Sequence, residues 1–231
     1  PVETRAVLPD YWLPQPEQRP GPATAAAVDE FLSLGPAGGI IDLDRLLEGR
    51  EVVLWQFLRA VADRRELAFH GTGDPSIEEF VPRQPVDLTA FGSQNAVFAT
   101  SDPVWAMYYA IVDRERVRSL DNACLELLDG DAVRGRYYYF SVSQDVLPER
   151  PWRTGHLYLL PAETFALQPA ETYAGHAARV PQLASPVAVR PLARLRVEPS
   201  DFPYLDRIRG HDDDRLAEYA QAVMTASPWP D

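Results

Sequence analysis

From Leu67 onward the apolar residues of this chain come in short runs, rich in β-branched and aromatic side chains and closed by Gly, Pro or Asp. Runs of that length and composition read as strands rather than as long helices. Residues 67–72, 95–100, 136–142, 156–160 and 185–197 are the strand candidates. Pro186 and Pro191 interrupt the last of these, which therefore has to be irregular or on a sheet edge. The first 65 residues follow a different pattern. Pro1, Pro9, Pro14, Pro16, Pro20 and Pro22 make residues 1–23 an extended arm, laid over the core by Tyr11 and Trp12. Thr24 then caps a helix through Leu34 with Val28, Phe31 and Leu32 on one face, and Gly35-Pro36 stops it. A short helical turn follows over 42–47, and Leu54, Phe57, Leu58 and Val61 recur at helical spacing within 51–65. Asp212, Asp213 and Asp214 open a last helix through Met224, where carboxylates complement the helix dipole. The expected class is α+β. The arm and N-terminal helices (1–65) pack on a mixed or antiparallel sheet within a domain over 66–231, and the two form one structural unit.

Composition narrows the function classes. All 22 basic residues are arginine, against 34 acidic ones, for a net charge of −12. That balance argues against general nucleic-acid binding by phosphate neutralisation, while leaving room for an arginine pocket around one phosphorylated ligand. Without lysine, no lysine Schiff base can operate. The arginine-only basic set, with many alanines and prolines, fits a GC-rich, bacterial-type coding sequence. Cys124, between Ala123 and Leu125, can form no internal disulfide and reads as a buried thiol. No apolar run nears the ~18 residues that a membrane span needs, and Pro1 to Arg5 show no basic-then-apolar leader. A soluble, cytoplasmic protein with no membrane partner is expected.

Two phrases carry the chemical information. Leu67-Ala68-Phe69-His70-Gly71-Thr72 is an apolar strand ending in an imidazole, a backbone without Cβ and a small hydroxyl. Those parts can hold a planar amide and a ribose, because glycine admits a close backbone approach and histidine can bond a hydroxyl. Taken alone, the tripeptide fits a turn with a partly buried histidine equally well. The second phrase, residues 95–110, reads as a strand carrying Phe98, a polar turn at Ser101-Asp102 and an aromatic helix carrying Tyr108 and Tyr109. An aromatic on that helix can face the His70 strand if the two are neighbours, giving a flat slot for a π system.

Together the phrases resemble the ADP-ribosyltransferases, in particular the diphtheria-toxin and poly(ADP-ribose)-polymerase branch, over residues 66–112 and more loosely to about residue 200. The resemblance implies the split-sheet fold of that family and NAD as co-substrate. It implies that His70 holds the NAD ribose and that the Gly71 backbone grips the nicotinamide carboxamide, with Thr72 beside them. Phe98 takes the family's tyrosine position, and Tyr109, with Tyr108, supplies the stacking surface. Ala106 stands where a small hydroxyl residue is common, so one bond to the amide is absent. The late strand aligns with Ser185 in the place of the catalytic glutamate, and Gln182 precedes it by three residues. Glu163, Glu171 and Asp102 are other sources of a carboxylate. Arg83 is the candidate for the diphosphate, since its fork suits phosphate oxygens.

The resemblance implies mono-ADP-ribosyl transfer to an unidentified acceptor, whether a protein, a nucleic-acid end or a small molecule, or NAD glycohydrolysis. The alternatives are a non-catalytic NAD- or ADP-ribose-binding module and an interaction domain with a degenerate cleft. Elsewhere the sequence offers little. His156 reads as an exposed or capping histidine, and His211 beside three aspartates as a solvated helix start rather than a cation site. The histidines are too scattered for zinc, so no metal is expected. Ser76, Ser101 and Ser185 lie in no nucleophile-elbow pattern, and no phosphate-cradling glycine motif is present.

Overall fold

In a computed structural model the protein is a mixed α+β molecule with two sheets and few helices. It describes residues 8–17, 19–34, 39–84 and 91–230. One sheet runs in the order β1 (Leu13–Pro14), β6 (Ala132–Ser143), β5 (Leu120–Asp129), β10 (His176–Arg179), β9 (Glu171–Tyr173), with β13 (Arg209–His211) also paired to β6. The other runs β2 (Ile41–Asp42), β12 (Ala193–Val197), β7 (Gly155–Pro161), β3 (Leu67–Thr72), β4 (Val97–Thr100), β11 (Gln182–Ser185), β8 (Ala166–Leu167). Neighbours are antiparallel except β2–β12 and β13–β6.

The helices are α1 (Pro22–Ser33), α2 (Leu43–Leu47), α3 (Leu54–Ala62), α4 (Pro103–Ile111) and α5 (Leu216–Met224). None is long and apolar enough to cross a membrane among the described residues. Helix α4 is the centre of the molecule. Its start is fixed by Asp102, whose Oδ1 accepts from Trp105 N at 2.9 Å with Pro103 in the first turn, the pairing that favours a helix N-terminus. Every residue of α4 except Tyr109 is buried. A helix apolar all round needs partners on several sides, and it has them. Gly71 and Gly155 press against its backbone: a Cβ at either would lie 1.9 Å from the carbonyl oxygen of Ala106 or Ala110. Tyr108 Oη donates to Ser141 O on β6 at 2.8 Å, and Trp105 Nε1 to Asn122 Oδ1 on β5 at 2.6 Å. The main core thus joins α1 (Val28, Phe31), α3 (Phe57, Leu58, Val61), α4 and the inner faces of both sheets.

Alternation does the rest. On β5 and β6, Cys124, Tyr138 and Phe140 point into this core, while Leu125, Leu127 and Tyr139 point outward to a second cluster closed by Tyr11, Trp12 and Trp229. That is the two-residue period of a strand buried on both faces.

Several sequence expectations are corrected. Helix α1 starts at Pro22 with Gly21 as its cap, because proline is tolerated in a first turn. Thr24 lies buried inside it, with Oγ1 3.4 Å from Val53 N. The stretch 185–197 is not one strand: β11 ends at Ser185 and β12 begins at Ala193 on the far side of β3 and β4. Pro186 and Pro191 fall in the connection, where no ladder donor is required. Gly35-Pro36 lies outside the described residues.

Candidate functional site

Strands β3 and β4 pair only at Phe69↔Thr100. Beyond that point β3 continues along β7 as far as Thr72, so its other edge parts from β4 and a cleft opens between them. The cleft, about 250 Å³, is lined by His70 and Gly71 from β3, Phe98 and Thr100 from β4, Trp105, Ala106 and Tyr109 from α4, and Gln182 from β11. A second cavity of about 480 Å³ shares His70 and Phe98 with it and adds Thr72, Ser76, Glu78, Glu79, Phe80 and Arg83. Small-molecule sites commonly occupy about 300–1,000 Å³. The first falls a little below that range and the second lies within it.

His70 bridges the parted strands. Its Nδ1 lies 2.8 Å from the carbonyl oxygen of Phe98, and a carbonyl can only accept, so Nδ1 carries the proton. Burial holds the His70 pKa below 6.5, the Arg83 charge lowers it further, and the Phe98 bond opposes both in part. The ring is therefore neutral at neutral pH. Nε2 is left with a lone pair able to accept from a hydroxyl. The ring also packs on Phe80 at 4.7 Å between centroids, which fixes its plane.

Tyr109 is the one aromatic of α4 that is only half-buried, one turn after Trp105, with ring centroids 6.2 Å apart. Tyr108 points the other way. It is 0 % exposed, bonds Ser141 and packs on Phe140 at 4.8 Å, so it belongs to the core and cannot stack on a ligand. Successive residues of a helix face about 100° apart, and only one of the two tyrosines could reach the cleft. Ala106 lines the cleft and also presents its carbonyl to Gly71. Gly71 is small because α4 lies on it; what it offers the cleft is backbone.

Ser185 is not in either cavity. It is 0 % exposed, opposite Val97 in the ladder, with Oγ donating to Thr164 Oγ1 at 2.8 Å. Gln182, opposite Thr100, is the β11 residue that reaches the cleft. The three-residue offset places the two side chains at opposite ends of a four-residue strand. Glu163 and Glu171 are exposed and line neither cavity. Asp102 is fully engaged: beyond its capping bond it accepts from Arg59 Nη1 at 3.1 Å and Tyr138 Oη at 2.9 Å. Among the described residues, no carboxylate lines the α4 side of the cleft.

The segment after β3 forms the outer mouth. Tyr158 Oη donates to Asp74 O at 2.9 Å and accepts from Ile77 N at 3.1 Å, while Phe80 pairs with Val189 and Arg83 with Ala96 through backbone bonds. These ties hold the exposed Arg83 beside β4, within the second cavity. Thr72 Oγ1 accepts from Asp74 N and lines the second cavity only. Sequence reasoning missed Trp105 and the mouth segment 76–81. Trp105 had a signal, one helical turn before Tyr109; the segment had none.

His156 and His211 lie outside both cavities. His156 is half-buried on β7, not capping. His211 is fully buried between Ser141 Oγ (2.8 Å) and Ser119 Oγ (2.6 Å), so it is not part of a solvated helix start. Asp212 caps that start instead, accepting from Asp214 N at 3.0 Å. Among the described residues no group of three or more His, Cys, Asp or Glu could hold a metal ion.

No protein-family profile, no curated protein and no solved structure matches this chain.

Proposed function

We propose that the parted-strand cleft binds NAD and that the protein is an ADP-ribosyltransferase-like domain with the split-sheet fold of that family. The observation that carries the reading is the convergence of His70, the Gly71 backbone, Phe98 and Tyr109 on one cleft, from two strands and a helix. In this reading the nicotinamide ring lies against Tyr109, its carboxamide meets the Gly71 backbone, and a ribose hydroxyl donates to His70 Nε2. The diphosphate passes the His70–Phe98 wall toward Arg83. The neutral state of His70 supports this assignment, since an imidazolium would have no acceptor to offer.

The chemistry breaks the bond between ribose C1′ and the nicotinamide nitrogen. Nicotinamide leaves as a neutral base, positive charge develops on the ribose, and water or an acceptor nucleophile adds to C1′ and loses a proton. A fixed carboxylate would stabilise that cation. The α4 side of the cleft has Gln182 instead, which can orient a hydroxyl but supplies no charge. Turnover is therefore slow. The same observation favours a second reading, a module that binds NAD or ADP-ribose without cleaving it.

Calorimetry separates these readings from their failure. NAD should bind the wild type, and Tyr109→Ala should weaken binding by on the order of 1–3 kcal/mol through loss of the stacking contact. Equal affinity in the two proteins would remove Tyr109 from the site. Nicotinamide release under saturating NAD then tells an enzyme from a binding module.

A further inference from the structure

We infer that Glu78, at the mouth of the second cavity, makes the site selective for NAD over its 2′-phosphorylated form. This inference rests on the proposed NAD site and concerns the part of the ligand beyond the nicotinamide ribose. If nicotinamide lies on the α4 side, the adenosine half has the roughly 480 Å³ cavity that shares His70 and Phe98. Its charged lining is one arginine, Arg83, and two glutamates, Glu78 and Glu79.

The two glutamates are not equivalent. Glu79 accepts from Arg190 Nε at 3.2 Å, whereas Glu78 is exposed and has no cationic partner among the described residues. A carboxylate only accepts hydrogen bonds, and the paired 2′ and 3′ hydroxyls of a ribose can both donate to it. Nucleotide sites elsewhere use an acidic side chain for this purpose and an arginine where a 2′-phosphate must be accommodated. Here a diphosphate already claims the cavity's single arginine. A further phosphomonoester would face Glu78 with no cation to neutralise it, in a chain of net charge −12. Juxtaposed like charges discriminate strongly between otherwise similar ligands.

The test is calorimetric titration of the wild type, Glu78→Gln and Glu79→Gln with NAD and with NADP at matched ionic strength. Both substitutions are on exposed side chains, so folding is not at issue. The wild type should prefer NAD by about tenfold or more. Glu78→Gln should narrow that ratio chiefly by strengthening NADP, and Glu79→Gln should change it less because Arg190 already offsets that charge. Equal affinity of the wild type for both dinucleotides, or a ratio untouched by Glu78→Gln, overturns the inference while leaving the NAD site intact. Failure of the wild type to bind either dinucleotide overturns the NAD site and this inference together.

Discussion

His70 shows how much a single hydrogen bond decides. Because Nδ1–H is committed to the Phe98 carbonyl, the ring's remaining nitrogen can act only as an acceptor, and burial keeps it unprotonated. Gln182 is the other residue on which the proposed chemistry turns. Gln182→Glu introduces a carboxylate into the cleft without changing the side chain's reach, and should raise nicotinamide release. Removing one pre-organised polar group from an active site typically costs about 10²- to 10³-fold, so a gain approaching that size is the expected scale. Ser185→Glu should behave differently. It forces a carboxylate into a site with 0 % exposure, which destabilises the fold and supplies nothing to the cleft. Nicotinamide assays and thermal unfolding on both variants check this contrast. Activation by Ser185→Glu and not by Gln182→Glu would contradict the geometry.

At the scale of elements, the cleft depends on where α4 begins. Asp102 ties the first turn of α4 to Arg59 on α3 and Tyr138 on β6, and Arg59 is buried with it. Asp102→Ala removes the cap and leaves Arg59 without its buried partner, a loss of about 3–5 kcal/mol. Chemical denaturation should show a correspondingly lower midpoint. A loss below about 1 kcal/mol would mean that the bonds Arg59 already makes to Asp63, from Nε at 3.0 Å and Nη2 at 2.8 Å, satisfy the guanidinium without Asp102. The sequence made much of this element readable. A strand, a polar turn with Asp and Pro, and an aromatic helix are local signals, and β4, Asp102 and α4 follow them. The hairpin of β5 and β6 had a signal that went unread: Gly130, φ +59°, stands at the first of two turn positions between alternating strands, where a type II′ turn needs glycine. What could not be read was non-local. That Tyr108 faces β6 while Tyr109 faces the cleft depends on which sheet lies on which side of the helix. That Gln182 rather than Ser185 reaches the cleft depends on the β4–β11 register.

For the whole molecule, three histidines act together on stability. His70, His156 and His211 all have pKa values lowered from 6.5, in each case chiefly by burial. In the unfolded chain they bind protons as pH falls through 6.5, while in the folded protein they resist. The unfolded state thus takes up more protons in that interval, and stability falls with pH below about 6.5. Above it these groups are neutral in both states and contribute no slope. Denaturation midpoints should be lower at pH 5.5 than at pH 7.5; a midpoint unchanged or higher at pH 5.5 would contradict the burial of these rings. Within this frame two sheets grip one buried helix, and the strands that part beside it leave Tyr109 and His70 facing the same space. Whether that space holds NAD is the central claim. A crystal structure of the protein soaked with NAD tests it most directly. The expected density puts the nicotinamide ring against Tyr109, with a ribose hydroxyl within hydrogen-bonding distance of His70 Nε2. Dinucleotide density elsewhere on the surface, or none at saturating NAD, would contradict the account.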